Sequence, residues 1–179
     1  YGVRMNVLVT GATGYLGSLV LDKLALAHSA VGISRGLSAG FPKKFVVKQD
    51  ISDYDSLYSL FSHKKFDAVI HIAAVTKLNP IHPQDSLSSI VNTNAIGSIN
   101  LLKCAAEFNT SFVFASSMTV YGMPQYLPVD ENHPCCPIGV YGCSKLLGEE
   151  CVKMFSKNTG LKAVVVRLPG LFGGLRKNG

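Results

Sequence analysis

Residues 5–17 decide the fold, and they read Met-Asn-Val-Leu-Val-Thr-Gly-Ala-Thr-Gly-Tyr-Leu-Gly. Residues 7–9 form a short apolar run with the length and β-branched character of a buried parallel strand. Three glycines come next, Gly11, Gly14 and Gly17. A helical period then begins, and it predicts one shared apolar face for Leu16, Leu19, Val20 and Leu24.

This order of strand, glycine turn and helix is the local structure that a phosphate-binding loop needs. Glycine adopts backbone angles that other residues avoid, and without a Cβ the main chain can approach a pyrophosphate closely. The helix N-terminus then offers unpaired N–H groups and a partial positive charge. The predicted dinucleotide contacts are Gly11, Thr13, Gly14, Tyr15, Leu16 and Gly17. The alternative is a tight turn that binds nothing, and the G-x-x-G-x-x-G spacing differs from the usual G-x-G-x-x-G fingerprint.

The composition is that of an ordinary globular protein. The chain has 179 residues, of which 47% are hydrophobic and 16% charged, which is enough for one domain with a full core. No apolar run approaches the ~20 residues of a membrane span, and no secretory signal is visible. Met5 is a plausible native start, and residues 1–4 would then be a remnant added before it.

Charge and cysteine usage narrow the class of partner. The net charge of +6 allows a nucleic-acid binder, but the basic residues are dispersed, so an anionic small ligand such as a dinucleotide, or simple solubility, explains the charge better. The five cysteines are odd in number and lack metal-binding spacing. We therefore expect reduced thiols in a cytoplasmic protein without metal.

The end of the second predicted strand bears on the choice of cofactor. An acidic residue at this point would bond the adenosine ribose hydroxyls and select NAD, but the chain has Ser34 and Arg35 there instead. These residues suit a ribose 2′-phosphate, and Lys43, Lys44 and Lys48 add positive charge nearby. The sequence thus favours NADP over NAD; the alternative is that Arg35 is a solvated loop residue.

Strands and helices alternate along the rest of the chain. This order predicts an α/β fold, a doubly wound parallel sheet with right-handed crossovers and helices on both faces. The ligand crevice should lie at the carboxyl ends of the strands. The predicted strands after the first cover residues 30–34, 45–48, 68–72, 111–115 and 162–168, and two long helices run from about 85 to 108 and from Tyr141 onward.

Further candidate residues follow the third and fourth strands. Asp50, followed by Ile51, could accept a bond from the adenine amino group, although a turn aspartate is equally compatible with its position. Ala73 and Ala74 would leave room for a flat ligand. His71, on an apolar strand, is expected to be a packed core histidine.

Two asparagines, Asn92 and Asn94, lie inside the first long helical pattern. A buried asparagine needs hydrogen-bond partners. One of the two is therefore expected to tie the helix to a neighbouring strand.

The pattern that carries chemistry is Tyr141 and Lys145, four residues apart on a predicted helix. A nearby ammonium and a cofactor cation would favour the phenolate and lower the tyrosine pKa from its usual value of about 10. Such a tyrosine can exchange a proton with a substrate hydroxyl or carbonyl. Ser117, at a strand end, could hold the same oxygen. The alternative is a surface helix pair.

Together these motifs resemble the extended short-chain dehydrogenases/reductases, in the NAD-dependent epimerase/dehydratase branch. The matching pieces follow the family's order and cover almost the whole chain. They are residues 9–17, Asp67 with 71–74, Asn94 with Gly97, 116–122, 141–145 and 167–173.

The resemblance implies a single NAD(P)-binding Rossmann domain over residues 1–179. It implies that Tyr141 is the acid/base, that Lys145 binds the nicotinamide ribose, and that Ser117 orients the substrate oxygen. It also places the backbone of residues 168–171, beginning with Leu168, near the nicotinamide.

The resemblance further implies a structural role for Asn94 and a substrate contact for Thr119. Family members act on sugars, nucleotide sugars or other hydroxy/keto compounds as epimerases, dehydratases or reductases, and they commonly form homodimers through two long helices. They are usually longer, with a C-terminal substrate-binding part that is apparently missing here, since the chain ends where that part would begin. A non-catalytic NAD(P)-binding sensor module of the same fold is the alternative function.

Overall fold

A computed structural model describes residues 3–36, 45–76 and 83–173, with only the backbone described at 83–86. Lys43 and Lys44 therefore lie outside the described residues. All six strands pair in parallel, in the order β3-β2-β1-β4-β5-β6. The strands are β1 Asn6–Thr10, β2 Ser29–Ser34, β3 Val46–Lys48, β4 Ala68–His71, β5 Ser111–Ser117 and β6 Ala163–Leu168. This order confirms the predicted doubly wound parallel sheet.

Within the described residues, five α-helices connect the strands. They are α1 Tyr15–Ala25, α2 Tyr54–His63, α3 Pro83–Ile90, α4 Gly97–Glu107 and α5 Val140–Thr159. A short 3-10 turn, Met118–Val120, follows β5. The apolar run of β1 is continuous because the strand is buried on both sides, with Leu8 in the core cluster of one face and Val7 and Val9 in that of the other.

The predicted helix over residues 85–108 is not uniform. A π-helical segment, Val91–Ile96, joins α3 to α4. Three consecutive residues of this segment, Thr93, Asn94 and Ala95, are buried. The wider turn directs more adjacent side chains inward than a regular helix does, and the apolar period of the sequence does not reveal it.

The predicted apolar face of α1 was partly wrong. The buried residues of this helix are Gly17 and Leu21, whereas Leu19 is exposed. The reason is the close packing at Gly17, where an added Cβ would lie 2.1 Å from the Gly11 carbonyl oxygen. That contact sets the rotation of α1, and Leu21 follows one turn later on the same side.

His71 is a core histidine, as predicted. Its Nδ1 lies 2.7 Å from the Thr10 hydroxyl and its Nε2 lies 2.8 Å from the Ser98 hydroxyl. The Thr10 oxygen already accepts two backbone N–H groups, so its proton points to Nδ1, and His71 donates from Nε2 to Ser98. Burial, together with the charge of Lys145, lowers the pKa of His71 to about 3.

Candidate functional site

A cavity of about 820 Å³ opens at the carboxyl ends of the strands. Its volume is in the range of small-molecule and cofactor sites. Most of the predicted site residues line it, namely Gly11, Thr13, Gly14, Tyr15, Leu16, Gly17, Ser34, Arg35, Ile51, Ala73, Ala74, Ser117, Tyr141, Lys145 and Leu168. Pro169, Gly170 and Leu171 line it as well.

The glycine loop closes one end of the cavity. Gly11 has φ +69°, and a Cβ there would lie 2.8 Å from the Ala73 backbone. Gly14 precedes the first turn of α1, which has no side-chain cap and no acidic residue. The helix N-terminus is therefore open toward the cavity and electrostatically suited to an anion. These features fit the pyrophosphate of a dinucleotide.

The end of β2 brings a hydroxyl and a cation, Ser34 and Arg35, beside the Thr13 hydroxyl of the glycine loop. The Ser34 and Thr13 hydroxyls lie 2.7 Å apart and bond each other. Arg35 is exposed at the cavity wall. Three groups that can bind phosphate oxygens are thus close together, with no acidic residue among the described residues that line the cavity.

The turn after β3 differs from the expectation in detail. Asp50 does not line the cavity; its Oδ1 accepts hydrogen bonds from the Ser52 amide and hydroxyl, at 2.9 and 2.8 Å. Its neighbours Gln49 and Ile51 do line the cavity. Asn100 of α4 fixes this turn by donating to the carbonyls of Ile51 and Ser52. The adenine contact of Asp50 stays a prediction, and Gln49 was missed.

Asn94 connects the centre of the site to α5. Its amide bonds both backbone groups of Val75, at 2.8 and 3.0 Å, and also donates to the Ser144 hydroxyl at 2.9 Å. Ser144 in turn donates to the Tyr141 carbonyl. The expected backbone tie by a buried asparagine is confirmed for Asn94, although its partner Val75 lies in the loop after β4 and not in a strand; Asn92 is exposed.

Lys145 lies almost completely enclosed beneath the site, with 2% of its surface exposed. Its Nζ donates to the Ala115 carbonyl at 2.8 Å and lies 4.8 Å from the centre of the Phe114 ring. Burial lowers the pKa of Lys145 to about 8, and the carboxylate of Glu149 opposes this effect.

Tyr141 behaves differently from the expectation in the chain without ligand. Burial raises its pKa, and a hydrogen bond from Ser117 opposes the rise. The predicted lowering involves Lys145 together with a cofactor cation, and in the chain without ligand the Lys145 ammonium is held on the Ala115 carbonyl, 5.9 Å from the Tyr141 ring centre. Removal of the phenolate from water therefore decides the direction of the shift here.

Ser117 is oriented by Thr119. The Ser117 oxygen accepts from the Thr119 amide at 3.2 Å and from the Thr119 hydroxyl at 3.0 Å. A serine hydroxyl has two acceptor positions and one proton, so the Ser117 proton stays free to be donated, in keeping with its effect on the pKa of Tyr141. Sequence reasoning gave Thr119 a substrate contact and missed this link, although the two-residue spacing is typical of such a turn.

Two further residues of the site gave no clear sequence signal. Thr93 reaches the cavity wall from the π-helical segment. Glu149, one turn after Lys145 on α5, is buried beside the site. Its spacing of four residues from Lys145 was the available signal.

None of the helices in the part of the chain that the structure describes has the length and apolar character needed to cross a membrane.

The sequence profile of the NAD dependent epimerase/dehydratase family matches residues 7–179. A candidate UDP-glucose 4-epimerase of Methanocaldococcus jannaschii is 37% identical over 179 residues, which cover 93% of this chain and 56% of that protein. The chain spans about half the length of the curated relatives it matches.

Two solved structures extend the comparison. The UDP-glucose 4-epimerase of Thermotoga maritima, solved with UDP-glucose, is 30% identical with a TM-score of 0.81, covering 91% of this chain and 55% of that one. The UDP-glucose 4-epimerase of Brucella ovis, solved with NAD, is 29% identical with a TM-score of 0.80, covering 92% of this chain and 51% of that one. The chain therefore belongs to the NAD dependent epimerase/dehydratase family.

Proposed function

We propose that this chain is the dinucleotide-binding and catalytic part of a nucleotide-sugar epimerase. The observation that carries the proposal is the placement of Ser117, Tyr141 and Lys145 along one cavity that also contains the glycine loop. A phosphate-binding end and a proton-transfer end thus line the same cavity. The UDP-glucose 4-epimerases among the relatives support a UDP-hexose as the substrate.

Different residues of the cavity would bind different parts of the cofactor. The glycine loop and the first turn of α1 would hold the pyrophosphate. The small side chains of Ala73 and Ala74 leave room for the flat rings, and the Lys145 ammonium has donors left for the nicotinamide ribose. When bound, the nicotinamide supplies the hydride acceptor and donor that turns a sugar hydroxyl into a ketone and back.

The chain's own residues handle the proton. Tyr141 takes the proton of the sugar hydroxyl as the carbon is oxidised and returns it when the ketone is reduced. Ser117 donates its hydrogen bond to the same oxygen and holds it in place. The positive charge of Lys145 and of the oxidised nicotinamide would lower the raised pKa of Tyr141 once the cofactor is bound. Tyr141 is thereby prepared for catalysis by the cofactor itself.

For the cofactor, we propose a preference for NADP over NAD. Thr13, Ser34 and Arg35 together offer two hydroxyls and a guanidinium to a 2′-phosphate. The Brucella ovis structure was solved with NAD, so this preference would distinguish the chain from that relative. Side-by-side fluorescence titrations with NADPH and NADH test it: Arg35→Ala should erase the preference, and equal affinities in the unaltered chain would refute it.

The test of the catalytic proposal is Tyr141→Phe in the complete protein. We expect UDP-glucose epimerisation to be lost while dinucleotide binding is kept. Unchanged turnover would refute the role of Tyr141. A second candidate, a non-catalytic dinucleotide sensor, predicts no turnover in the unaltered protein; the presence of Ser117, Tyr141 and Lys145 together argues against it. The cytoplasmic location and the homodimer stay predictions.

A further inference from the structure

Glu149 is a buried carboxylate that the proposed mechanism does not use. It lies on α5 one turn after Lys145 and is 1% exposed. Its two oxygens accept from the Ser116 hydroxyl at 2.5 Å and from the Arg167 guanidinium at 2.8 to 3.2 Å. Its neighbour Glu150 is exposed and forms a surface ion pair with Lys153. Of these two adjacent glutamates, Glu149 is therefore buried and Glu150 is exposed.

The contacts of Glu149 lead directly to the catalytic end of the cavity. Three consecutive residues at the end of β5 each act on a different group: the Ala115 carbonyl accepts from Lys145, the Ser116 hydroxyl donates to Glu149, and the Ser117 hydroxyl opposes the rise in the pKa of Tyr141. Since Ser116 lies between the other two, the bond to Glu149 fixes this strand end against α5. Loss of that bond would displace both neighbouring contacts.

Arg167 extends the arrangement to the next strand and to the loop after β5. It pairs with Ser116 in the register of β5 and β6. Its guanidinium also donates to the Glu131 carbonyl at 3.3 Å and lies 4.8 Å from the centre of the Tyr121 ring. A buried ion pair of this kind is not required for stability, because well-packed apolar residues can often replace it. Its position beside Lys145 suggests a functional reason for the charge.

The surroundings of Lys145 contain few groups that could stabilise its positive charge. From β4 it faces His71, which is neutral, and from β5 it faces the Phe114 ring and the Ala115 carbonyl. From its own helix it faces Tyr141 and Glu149. Glu149 is the anion among these groups. Arg167 of β6 shares the charge of that anion, so its effect on Lys145 is smaller than that of a bare carboxylate.

We propose that Glu149 is a positioning residue of the active site, which holds the end of β5 against α5 and supplies the negative charge that keeps the enclosed Lys145 ammonium protonated. The link to catalysis rests on the proposed function, in which Lys145 binds the nicotinamide ribose. The effect of Glu149 on Lys145 itself can be measured without any cofactor.

The experiment follows the titration of Lys145 by NMR in protein with isotope-labelled lysine. The Lys145 signal is assigned by its loss in Lys145→Met. In the unaltered chain we expect a midpoint near pH 8. Glu149→Gln, which keeps an acceptor for Ser116 but removes the charge, should move that midpoint down by about one pH unit. Glu150→Gln, the exposed neighbour, should leave it unchanged. An unchanged midpoint in folded Glu149→Gln would overturn the proposal.

A second variant separates the charge from the packing. Glu149→Leu combined with Arg167→Leu removes the pair together and so avoids a lone buried charge. We expect this double variant to fold and still to titrate Lys145 at the lower pH. If the folded double variant titrates Lys145 with the same midpoint as the unaltered chain, the proposal is contradicted. This test decides the question even if Glu149→Gln alone fails to fold.

Cofactor binding then connects the result to the proposed function. Fluorescence titration with NADPH and NADH across the pH range should show affinity falling at a lower pH in Glu149→Gln than in the unaltered chain. Coincident pH profiles would overturn the functional part of the proposal. If the unaltered chain binds neither dinucleotide, the proposed function fails, while the NMR midpoints still decide the role of Glu149.

Discussion

Replacement of Gly17 by alanine tests the physical basis of the glycine loop. The Cβ of Gly17→Ala would lie 2.1 Å from the Gly11 carbonyl oxygen and 2.7 Å from its carbonyl carbon. Both are backbone atoms, so no side chain can rotate away. To restore a normal contact, α1 and the loop must separate by about 1 Å, which a close-packed interior resists.

The expected loss of stability follows from that separation. Overpacking a well-packed site costs about 1–3 kcal/mol, and alanine returns up to about 1 kcal/mol through its better helix propensity. We therefore expect the free energy of unfolding to fall by about 1–2 kcal/mol. Because the same shift displaces the N–H groups of the first turn of α1, dinucleotide affinity should fall at least about tenfold, which corresponds to roughly 1.4 kcal/mol.

Urea denaturation and NADPH fluorescence titration measure the two effects. The matched control is Gly139→Ala, at a position with φ −114° and no atom within 4 Å of the added Cβ. Its NADPH affinity should stay as in the unaltered chain, and its unfolding free energy should fall by less than about 1 kcal/mol, because Gly139 is the N-cap of α5 and alanine caps less well. If Gly17→Ala is as stable as that control and binds NADPH equally well, the close contact does not constrain the loop, and the reasoning fails.

Three more outcomes are expected. Asn94→Asp removes the donors to the Val75 carbonyl and to Ser144 and buries a charge, so the unfolding free energy should fall by about 2–4 kcal/mol. The control Asn92→Asp, at an exposed position, should change the unfolding free energy by less than about 0.5 kcal/mol. A similar loss in both variants, measured by urea denaturation, would contradict the assigned contacts. His71 has a folded-state pKa of about 3, below its unfolded value of 6.5, so its stabilising effect is complete above pH 6.5, and the unfolding free energy should fall by about 1.4 kcal/mol per pH unit from pH 6.5 toward pH 3. His71→Asn should remove that slope in urea titrations, and an unaltered slope would show that another group carries it. Tyr141, whose pKa is raised in the chain without ligand, should ionise at lower pH once oxidised cofactor is bound; the tyrosinate absorbance that disappears in Tyr141→Phe reports this, and a midpoint unmoved by cofactor would refute the activation.

The parts of the site that lie at strand ends could be predicted from the sequence. Parallel strands bring their carboxyl ends to one edge, so Gly11, Ser34, Ala73 and Ser117 meet there once the strands are recognised. The strands can be recognised from their apolar runs in the sequence alone, without knowledge of tertiary contacts. The cavity wall is in this sense a consequence of the alternation of strands and helices.

The contacts that depend on local hydrogen bonds could not be predicted from the pattern. In the turn after β3, alternation stops, and the Asp50 carboxylate accepts two bonds from Ser52, while its neighbour Gln49, which was missed, lines the cavity. The four-residue spacing of Glu149 from Lys145 does not show that its carboxylate binds Arg167, eighteen residues later. The raised pKa of Tyr141 in the chain without ligand could not be predicted, because the spacing to Lys145 says nothing about burial.

The π-helical segment Val91–Ile96 also bears on how insertions and deletions affect this chain. The wide turn changes the phase of the helical repeat, so the faces of α3 and α4 are not in continuous register. A deletion of one residue inside the segment would let the helix regain its ordinary pitch and leave α4 close to its present rotation, because the wider turn already accommodates one extra residue. A deletion within α4 before Asn100 would instead rotate the later side chains by about 100°, and Asn100 would no longer face the turn after β3 that it fixes. The segment is therefore the part of this helix that tolerates a change in length, whereas the first turn of α4 does not.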